Sequence, residues 1–150
     1  MLFMSQGVIL LVEDNPDDEA LTRRALEKNG IVNPLIVTRD GAEALDFLFA
    51  RGAHAGRSPE GDPALVLLDL NLPKVDGHKV LLEMRAQPRT RHTPVVILTT
   101  SLHEEDLLRA YNAGCNSYLR KPDDFKEFTQ TMQRLCGYWL RLNQTPPRKR

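Results

Sequence analysis

Asp69 follows the apolar run Ala64-Leu65-Val66-Leu67-Leu68 and precedes Leu70-Asn71-Leu72-Pro73. Glu13 and Asp14 end a second run, Val8-Ile9-Leu10-Leu11-Val12. Thr99 ends a third, Val95-Val96-Ile97-Leu98, and Lys121 follows Tyr118-Leu119-Arg120. Three carboxylates, a hydroxyl and an amine thus fall at the C-terminal ends of candidate buried strands. In an open parallel sheet that edge is where ligands bind.

If the strands carrying Glu13, Asp14 and Asp69 are neighbours, their charges repel and each disfavours ionisation of the others. A hard divalent cation such as Mg²⁺ offsets that repulsion, takes oxygen ligands and shares a phosphate oxygen. The backbone carbonyl of Asn71 can add a ligand. Asp69 is then the candidate nucleophile, because a carboxylate can form an aspartyl-phosphate. Lys121 would hold a phosphoryl oxygen as a point charge, and Thr99 would donate a hydrogen bond to another. Taken singly, each residue has a plainer role. Glu13 and Asp14 can cap the next helix, Lys121 before Pro122 can be a solvated loop lysine, and Thr99 a strand-end hydroxyl. Their coincidence at four strand ends on one edge favours the chemical reading.

The elements that must position them alternate apolar runs with amphipathic segments, the βαβ signature of a parallel sheet between helix layers. Gly7 to Val12 reads as a strand covered on both faces. Asn15 caps a helix that Pro16 opens, Asp17, Asp18 and Glu19 suit its positive end, Leu21, Ala25 and Leu26 face inward, and Gly30 ends it. Leu35 to Thr38 reads as the second strand, and a helix capped by Asp40 runs to about Ala50 with Ala44, Leu45 and Leu48 inward. Arg51 to Pro63, with three glycines and two prolines, reads as an inserted surface loop. Ala64 to Asp69 is the third strand, and a helix follows from Lys74 or Val75 to about Ala86, with Val80, Leu81 and Met84 inward. Val95 to Thr99 is the fourth strand. The next helix, Glu104 to Asn112, is capped by Ser101 or His103 and closed by Gly114. Asn116 to Arg120 is a fifth strand. The last helix starts near Asp123, and its apolar stripe runs through Phe125, Phe128, Met132, Leu135, Trp139 and Leu142 at alternating spacings of three and four.

At 150 residues the chain holds one domain with a proper core. Lysine plus arginine and aspartate plus glutamate both number 20, which argues against a nucleic-acid footprint. Cys115 and Cys136 lie among apolar residues and read as buried thiols rather than a disulfide framework. No stretch has the apolar length of a membrane span, and no signal peptide is evident. A cytoplasmic setting is the expectation.

The motifs Leu11-Val12-Glu13-Asp14, Leu67-Leu68-Asp69-Leu70-Asn71-Leu72-Pro73 with Asp76-Gly77, Ile97-Leu98-Thr99-Thr100-Ser101 and Tyr118-Leu119-Arg120-Lys121-Pro122 resemble the receiver domain of two-component response regulators. The resemblance covers about residues 7 to 142. It implies a flavodoxin-like doubly wound sheet of five parallel strands in order 2-1-3-4-5, with an extended C-terminal helix. It also implies an N-terminal extension (1–6), a receiver domain (7–143) and a flexible tail (144–150).

Carried over, the resemblance makes Asp69 the phosphoacceptor from a sensor histidine kinase. Glu13, Asp14, Asp69 and Asn71 become the Mg²⁺ ligands, and Thr99, Thr100 and Lys121 the phosphoryl-binding residues. Thr99 and Tyr118 become the switch pair. Glu13-Asp14-Asn15-Pro16-Asp17-Asp18-Glu19, the insertion at 51–63 and the Trp139-Leu140 extension resemble the small regulators of phytochrome-type kinases. Three positions depart from the family pattern: Glu13 for the commoner Asp, Thr100 for a smaller residue, and Asp123 for a common Phe.

Output is expected through protein contacts, because no DNA-binding segment follows. Leu107, Tyr111, Trp139 and Leu142 are the candidate homodimer contacts. The alternative is a phosphorelay intermediate that hands its phosphoryl group to a histidine phosphotransfer protein. A Mg²⁺-dependent aspartyl-phosphate phosphatase is disfavoured, since the position for a second acid two residues after Asp69 holds Asn71. The chain is therefore expected not to be an enzyme.

Overall fold

The computed structural model describes residues 7–147. The proposed extension 1–6 and the last three residues of the tail lie outside that range. Five parallel strands, β1 (Val8–Val12), β2 (Leu35–Thr38), β3 (Pro63–Leu68), β4 (Val95–Thr99) and β5 (Ser117–Arg120), form one sheet in the order β2-β1-β3-β4-β5. The helices are α1 (Pro16–Lys28), α2 (Gly41–Leu48), α3 (Gly77–Ala86), α4 (Glu104–Ala113) and α5 (Phe125–Cys136). The expected flavodoxin-like architecture is what the chain adopts.

Strand alternation divides the core in two. Leu10, Val12, Val66, Leu68, Val95 and Ile97 face α2, α3 and α4, where they meet Leu45, Leu48, Leu81, Met84 and Ala110. Ile9, Leu11, Leu65, Leu67, Val96 and Leu98 face α1 and α5, where they meet Leu26, Phe128, Met132 and Leu135. Burial on both faces explains why the central strands read as unbroken apolar runs. Both cysteines are buried, as expected, and burial pushes the Cys136 thiol up to about 12.

Capping fixes where the helices begin. Asn15 Oδ1 accepts from the amides of Asp17 and Asp18, and the carboxylates of Asp40, Asp76 and Asp124 each accept from the amide three residues on. Helix α3 therefore starts at Gly77 rather than at Lys74 or Val75, since Lys74 itself is left-handed at φ 66°. Helix α2 ends at Leu48, short of Ala50, which is also left-handed at φ 52°. At α4 the cap position is His103, whose side chain makes no capping bond. Ser101 instead turns its hydroxyl to Asp106, 2.6 Å away.

Two inward stripes need correcting. Leu21 on α1 is exposed and Thr22 takes its place, bonding the Asp18 carbonyl through its own hydroxyl. Beyond Cys136 the last helix widens into a π turn, Gly137–Leu142, closed by Asn143 N–H donating to the Tyr138 carbonyl at 2.7 Å. The wider turn shifts the phase of the stripe. Leu140 is buried, Trp139 half-buried and Leu142 exposed, so the spacing of three and four does not carry inward to Leu142. Residues 144–147 are exposed and have no regular structure.

The insertion at 51–63 is more ordered than a loop reading implies. It holds two 3₁₀ turns, Gly52–His54 and Pro59–Gly61. The Arg57 guanidinium lies over the Phe47 ring and donates to the carbonyls of Phe47 and Leu48. Asp62 joins Arg57 to Arg89, three residues past the end of α3. Burial would raise the Asp62 carboxyl, but the two arginines outweigh it and hold it below its ordinary value.

Candidate functional site

Backbone bonds carry the sheet pattern one residue past the strands. Glu13 N–H donates to the Thr38 carbonyl, Asp69 N–H to that of Val12 and Lys121 N–H to that of Thr99, at 2.8–3.1 Å. Each side chain therefore leaves the sheet at the same edge. Glu13 is buried, Asp69 half-buried and Asp14 exposed, and one carboxylate oxygen from each lies within 4.8 Å of the others. The Lys121 ammonium reaches all the way in. It pairs with Glu13 Oε1, with Asp18 Oδ2 at 3.1 Å and with Asp69 Oδ2 at 3.5 Å.

Asp18 was not legible as part of this cluster. In sequence it is one of three acids suited to the first turn of α1, and only the return of β5 beside that turn gives it a partner.

The electrostatics follow from burial and crowding. Burial pushes the Glu13 carboxyl up to about 7 even though Lys121 pulls it down, and Asp69 adds to the rise. Burial works against the Lys121 ammonium too, but Glu13 and Asp69 outweigh it and hold its proton more firmly than usual. A single ammonium thus serves three carboxylates, which leaves a net negative pocket. The donor set is oxygen only, with Asp14 open to solvent, and that suits a hard divalent cation with open positions.

Thr99 is fully buried at the end of β4, and its Oγ1 accepts from the Ser101 amide at 3.1 Å. Thr100 is exposed next to it, and Asn71 is exposed with its amide 3.4 Å from Asp69 Oδ1. Tyr118 packs on the α2–α3–α4 side of the core, and its buried hydroxyl has no hydrogen-bond partner among the described residues. Burial raises that phenol above its ordinary value. Leu107 and Tyr111 on α4 and Leu142 in the π turn are exposed, and Trp139 is half-buried.

Two glycines let neighbouring backbone pack closely against the loop after Asp69. A Cβ on Gly77 would meet the Asp69 carbonyl oxygen at 2.3 Å and Leu70 Cα at 2.8 Å. A Cβ on Gly41 would meet the Val75 carbonyl oxygen at 1.8 Å. Only backbone without a side chain fits at either place.

The model of the response regulator receiver domain matches residues 9–133. The chain belongs to that family. A probable methanogenesis regulatory protein of Methanothrix harundinacea, FilR2, is 46% identical over 93% of this chain and 87% of its own length. The response regulator Rcp1 of Synechocystis is 41% identical over 93% of this chain and 92% of its own. Among solved structures, the phosphorylated cyanobacterial phytochrome response regulator RcpA superposes with a TM-score of 0.87 at 36% identity, covering 95% of this chain and 100% of RcpA. The Mn²⁺-bound form of Rcp1 superposes at 0.85 with 39% identity, covering 94% of this chain and 99% of that one. The receiver is thus homologous to phytochrome response regulators, and a divalent-metal site is a property of its relatives. Among its described residues no helix is long and apolar enough to cross a membrane.

Proposed function

We propose that this receiver accepts a phosphoryl group on Asp69 from the phosphohistidine of a sensor histidine kinase, and that the modification changes its protein contacts. The observation that carries the reading is the convergence of Glu13, Asp14 and Asp69 with the Lys121 ammonium at one sheet edge. An Asp69 carboxylate oxygen attacks phosphorus, the bond from phosphorus to the histidine nitrogen breaks, and that nitrogen leaves with the electron pair. Glu13, Asp14, Asp69 and the Asn71 carbonyl would hold Mg²⁺, which when bound neutralises charge on the transferring oxygens. Lys121 turns from Asp69 toward a phosphoryl oxygen. Thr99 donates its hydroxyl to another, with Thr100 beside it, and Tyr118 fills the space that Thr99 vacates. The names of Rcp1 and RcpA support a phytochrome-type kinase as the donor.

Incubation with acetyl phosphate and Mg²⁺, followed by intact mass measurement, is expected to add one phosphoryl group, and a chelator is expected to prevent it. No adduct from acetyl phosphate or from any phosphorylated kinase would overturn the reading.

Metal binding is expected to depend on pH. Glu13 must lose its proton to act as a ligand, and burial pushes its carboxyl up to about 7. Mg²⁺ affinity is therefore expected to fall about tenfold from pH 8 to pH 6. The folded carboxyl is the weaker acid, so its contribution to stability diminishes as pH rises from its ordinary value of 4.5 toward 7. Calorimetric titration at both pH values checks this, and equal affinities would remove Glu13 from the ligand set.

A second reading concerns output. Leu107, Tyr111 and Leu142 expose large apolar side chains, and a groove of ≈570 Å³ lined by Leu119, Leu135, Tyr138 and Trp139 runs between β5, α5 and the π turn after it. These features favour a homodimer over a monomeric relay to a histidine phosphotransfer protein. Sedimentation at micromolar concentration is expected to show a dimer that Leu142→Lys weakens by about tenfold. A monomer with and without phosphorylation would instead favour the relay.

A further inference from the structure

Three acids stand in the first turn of α1, and each turns a different way. Asp17 is exposed to solvent. Glu19 pairs with Arg23 at 3.3 Å and with Arg39 at 2.9 Å. Asp18 faces the acceptor edge, where its Oδ2 lies 3.1 Å from the Lys121 ammonium. Its backbone is fixed on both sides. Asn15 Oδ1 accepts from the Asp18 amide at 3.2 Å, and the Asp18 carbonyl accepts from the buried Thr22 hydroxyl at 2.9 Å. The Lys121 backbone is fixed too, through its N–H on the Thr99 carbonyl. The contact therefore joins two anchored points, and only the lysine stem is free to swing.

The three partners of Lys121 are not equivalent. Glu13 and Asp69 belong, with Asp14, to the group whose carboxylate oxygens lie within 4.8 Å of one another, and Asp18 stands outside that group. In a site loaded with a divalent cation, Glu13 and Asp69 turn oxygens to the metal and have less to offer the ammonium. Two cations side by side also repel. Lysine carries a compact, strongly hydrated charge on a flexible stem, so with no other carboxylate in reach it would swing out into water. We propose that Asp18 is a positioning residue for Lys121: it keeps the ammonium at the acceptor edge once Glu13 and Asp69 are engaged, ready for a phosphoryl oxygen. The role rests on the reading of Asp69 as acceptor and of Glu13 and Asp69 as metal ligands.

A carboxylate in the first turn of a helix also favours the positive end of the dipole, which is a purely structural reason for an acid at this position. Asp17 supplies the same charge one residue away, whereas the ion pairs of Lys121 among the described residues are with Glu13, Asp18 and Asp69. Asp17→Asn is therefore the control that loses the helix-end charge and keeps the lysine contact.

The test follows acetylation of the Lys121 amine by an amine-reactive acetyl ester, read by peptide mass, in wild type, Asp18→Asn and Asp17→Asn. Without Mg²⁺, Lys121 is expected to be equally protected in all three, because Glu13 and Asp69 still hold it. At saturating Mg²⁺, Asp18→Asn is expected to label about fivefold faster than wild type, and Asp17→Asn at the wild-type rate. Beryllofluoride, a stable stand-in for the phosphoryl group, is expected to bind Asp18→Asn about fivefold more weakly at saturating Mg²⁺. The sign discriminates, since removing a negative charge beside an anion site by itself raises affinity. Equal labelling of Asp18→Asn and wild type with Mg²⁺, faster labelling that does not depend on Mg²⁺, or tighter beryllofluoride binding would overturn the proposal. Failure of wild type to bind Mg²⁺ and beryllofluoride would overturn the acceptor reading and the role of Asp18 with it. Binding by wild type that Asp18→Asn reproduces in full removes only the role of Asp18.

Discussion

Asp69→Asn is expected to abolish covalent phosphorylation and yet leave the protein slightly more stable than wild type. The amide is not a nucleophile, so no acyl phosphate forms and labelling from acetyl phosphate falls to background. Stability moves the other way, because Asp69 is one of the causes that raise the Glu13 carboxyl in this crowded pocket. Removing its charge leaves Lys121 with Glu13 and Asp18 as partners, and a like-charge repulsion disappears. The gain is about 1 kcal/mol at neutral pH without added metal. Mg²⁺ should narrow the difference, since the cation already offsets that repulsion. Denaturant unfolding of both proteins with and without Mg²⁺ measures it. A variant that still labels would defeat the assignment of Asp69. One that labels no longer but is clearly destabilised would show that the acidic cluster is not strained by its own charge.

Gly77→Ala is expected to damage both the fold and the phosphorylation rate, although the residue carries no chemical group. The added methyl would stand 2.3 Å from the Asp69 carbonyl oxygen and 2.8 Å from Leu70 Cα. Both are backbone atoms, so no rotamer change relieves the clash, and either α3 or the Asp69 peptide must move. Overpacking of this kind costs about 1–3 kcal/mol. Displacement of the acceptor carboxylate by about an ångström costs on the order of a hundredfold in rate. Gly137→Ala is the natural control. That residue is right-handed at φ −59°, and a methyl there meets nothing within 4 Å. Phosphorylation should be unchanged in the control. Equal rates for Gly77→Ala and wild type under acetyl phosphate would show that the β3–α3 loop absorbs the methyl without moving Asp69.

Much of the site was legible because it depends on local rules. A strand buried on both faces is a run of apolar residues, and the first polar residue after it lies at the sheet edge. That reasoning places Glu13, Asp69 and Thr99 from the sequence alone, whereas Lys121 follows the polar Arg120 at the end of the edge strand β5. Capping chemistry is equally local, so Asn15 and Asp40 mark their helices.

What escaped depends on contacts between distant segments. Asp18 joins Lys121 only when β5 returns beside α1. Arg85, an ordinary basic residue near a helix end, donates to the carbonyls of Gly114, Thr90, Arg91 and Thr93 and to the Asn116 side chain, so it ties α3 to the approach to β5. Lys74 and Ala50 ended or delayed helices through left-handed backbone that neither residue type advertises. The widened turn after Cys136 escaped because the apolar spacing of α5 continues through it unchanged.

That widened turn has a consequence for how such proteins diverge. One surplus residue's worth of backbone rolls Leu142 outward and brings Leu140 in. A single-codon deletion near Gly137 would return the terminal segment to ordinary winding, about 100° per residue, and tuck its aromatic edge beneath the body of the molecule. The exposure of Leu142, and with it the homodimer contact proposed above, is thus set by chain length at one spot, and evolution can adjust it without touching the acid cluster.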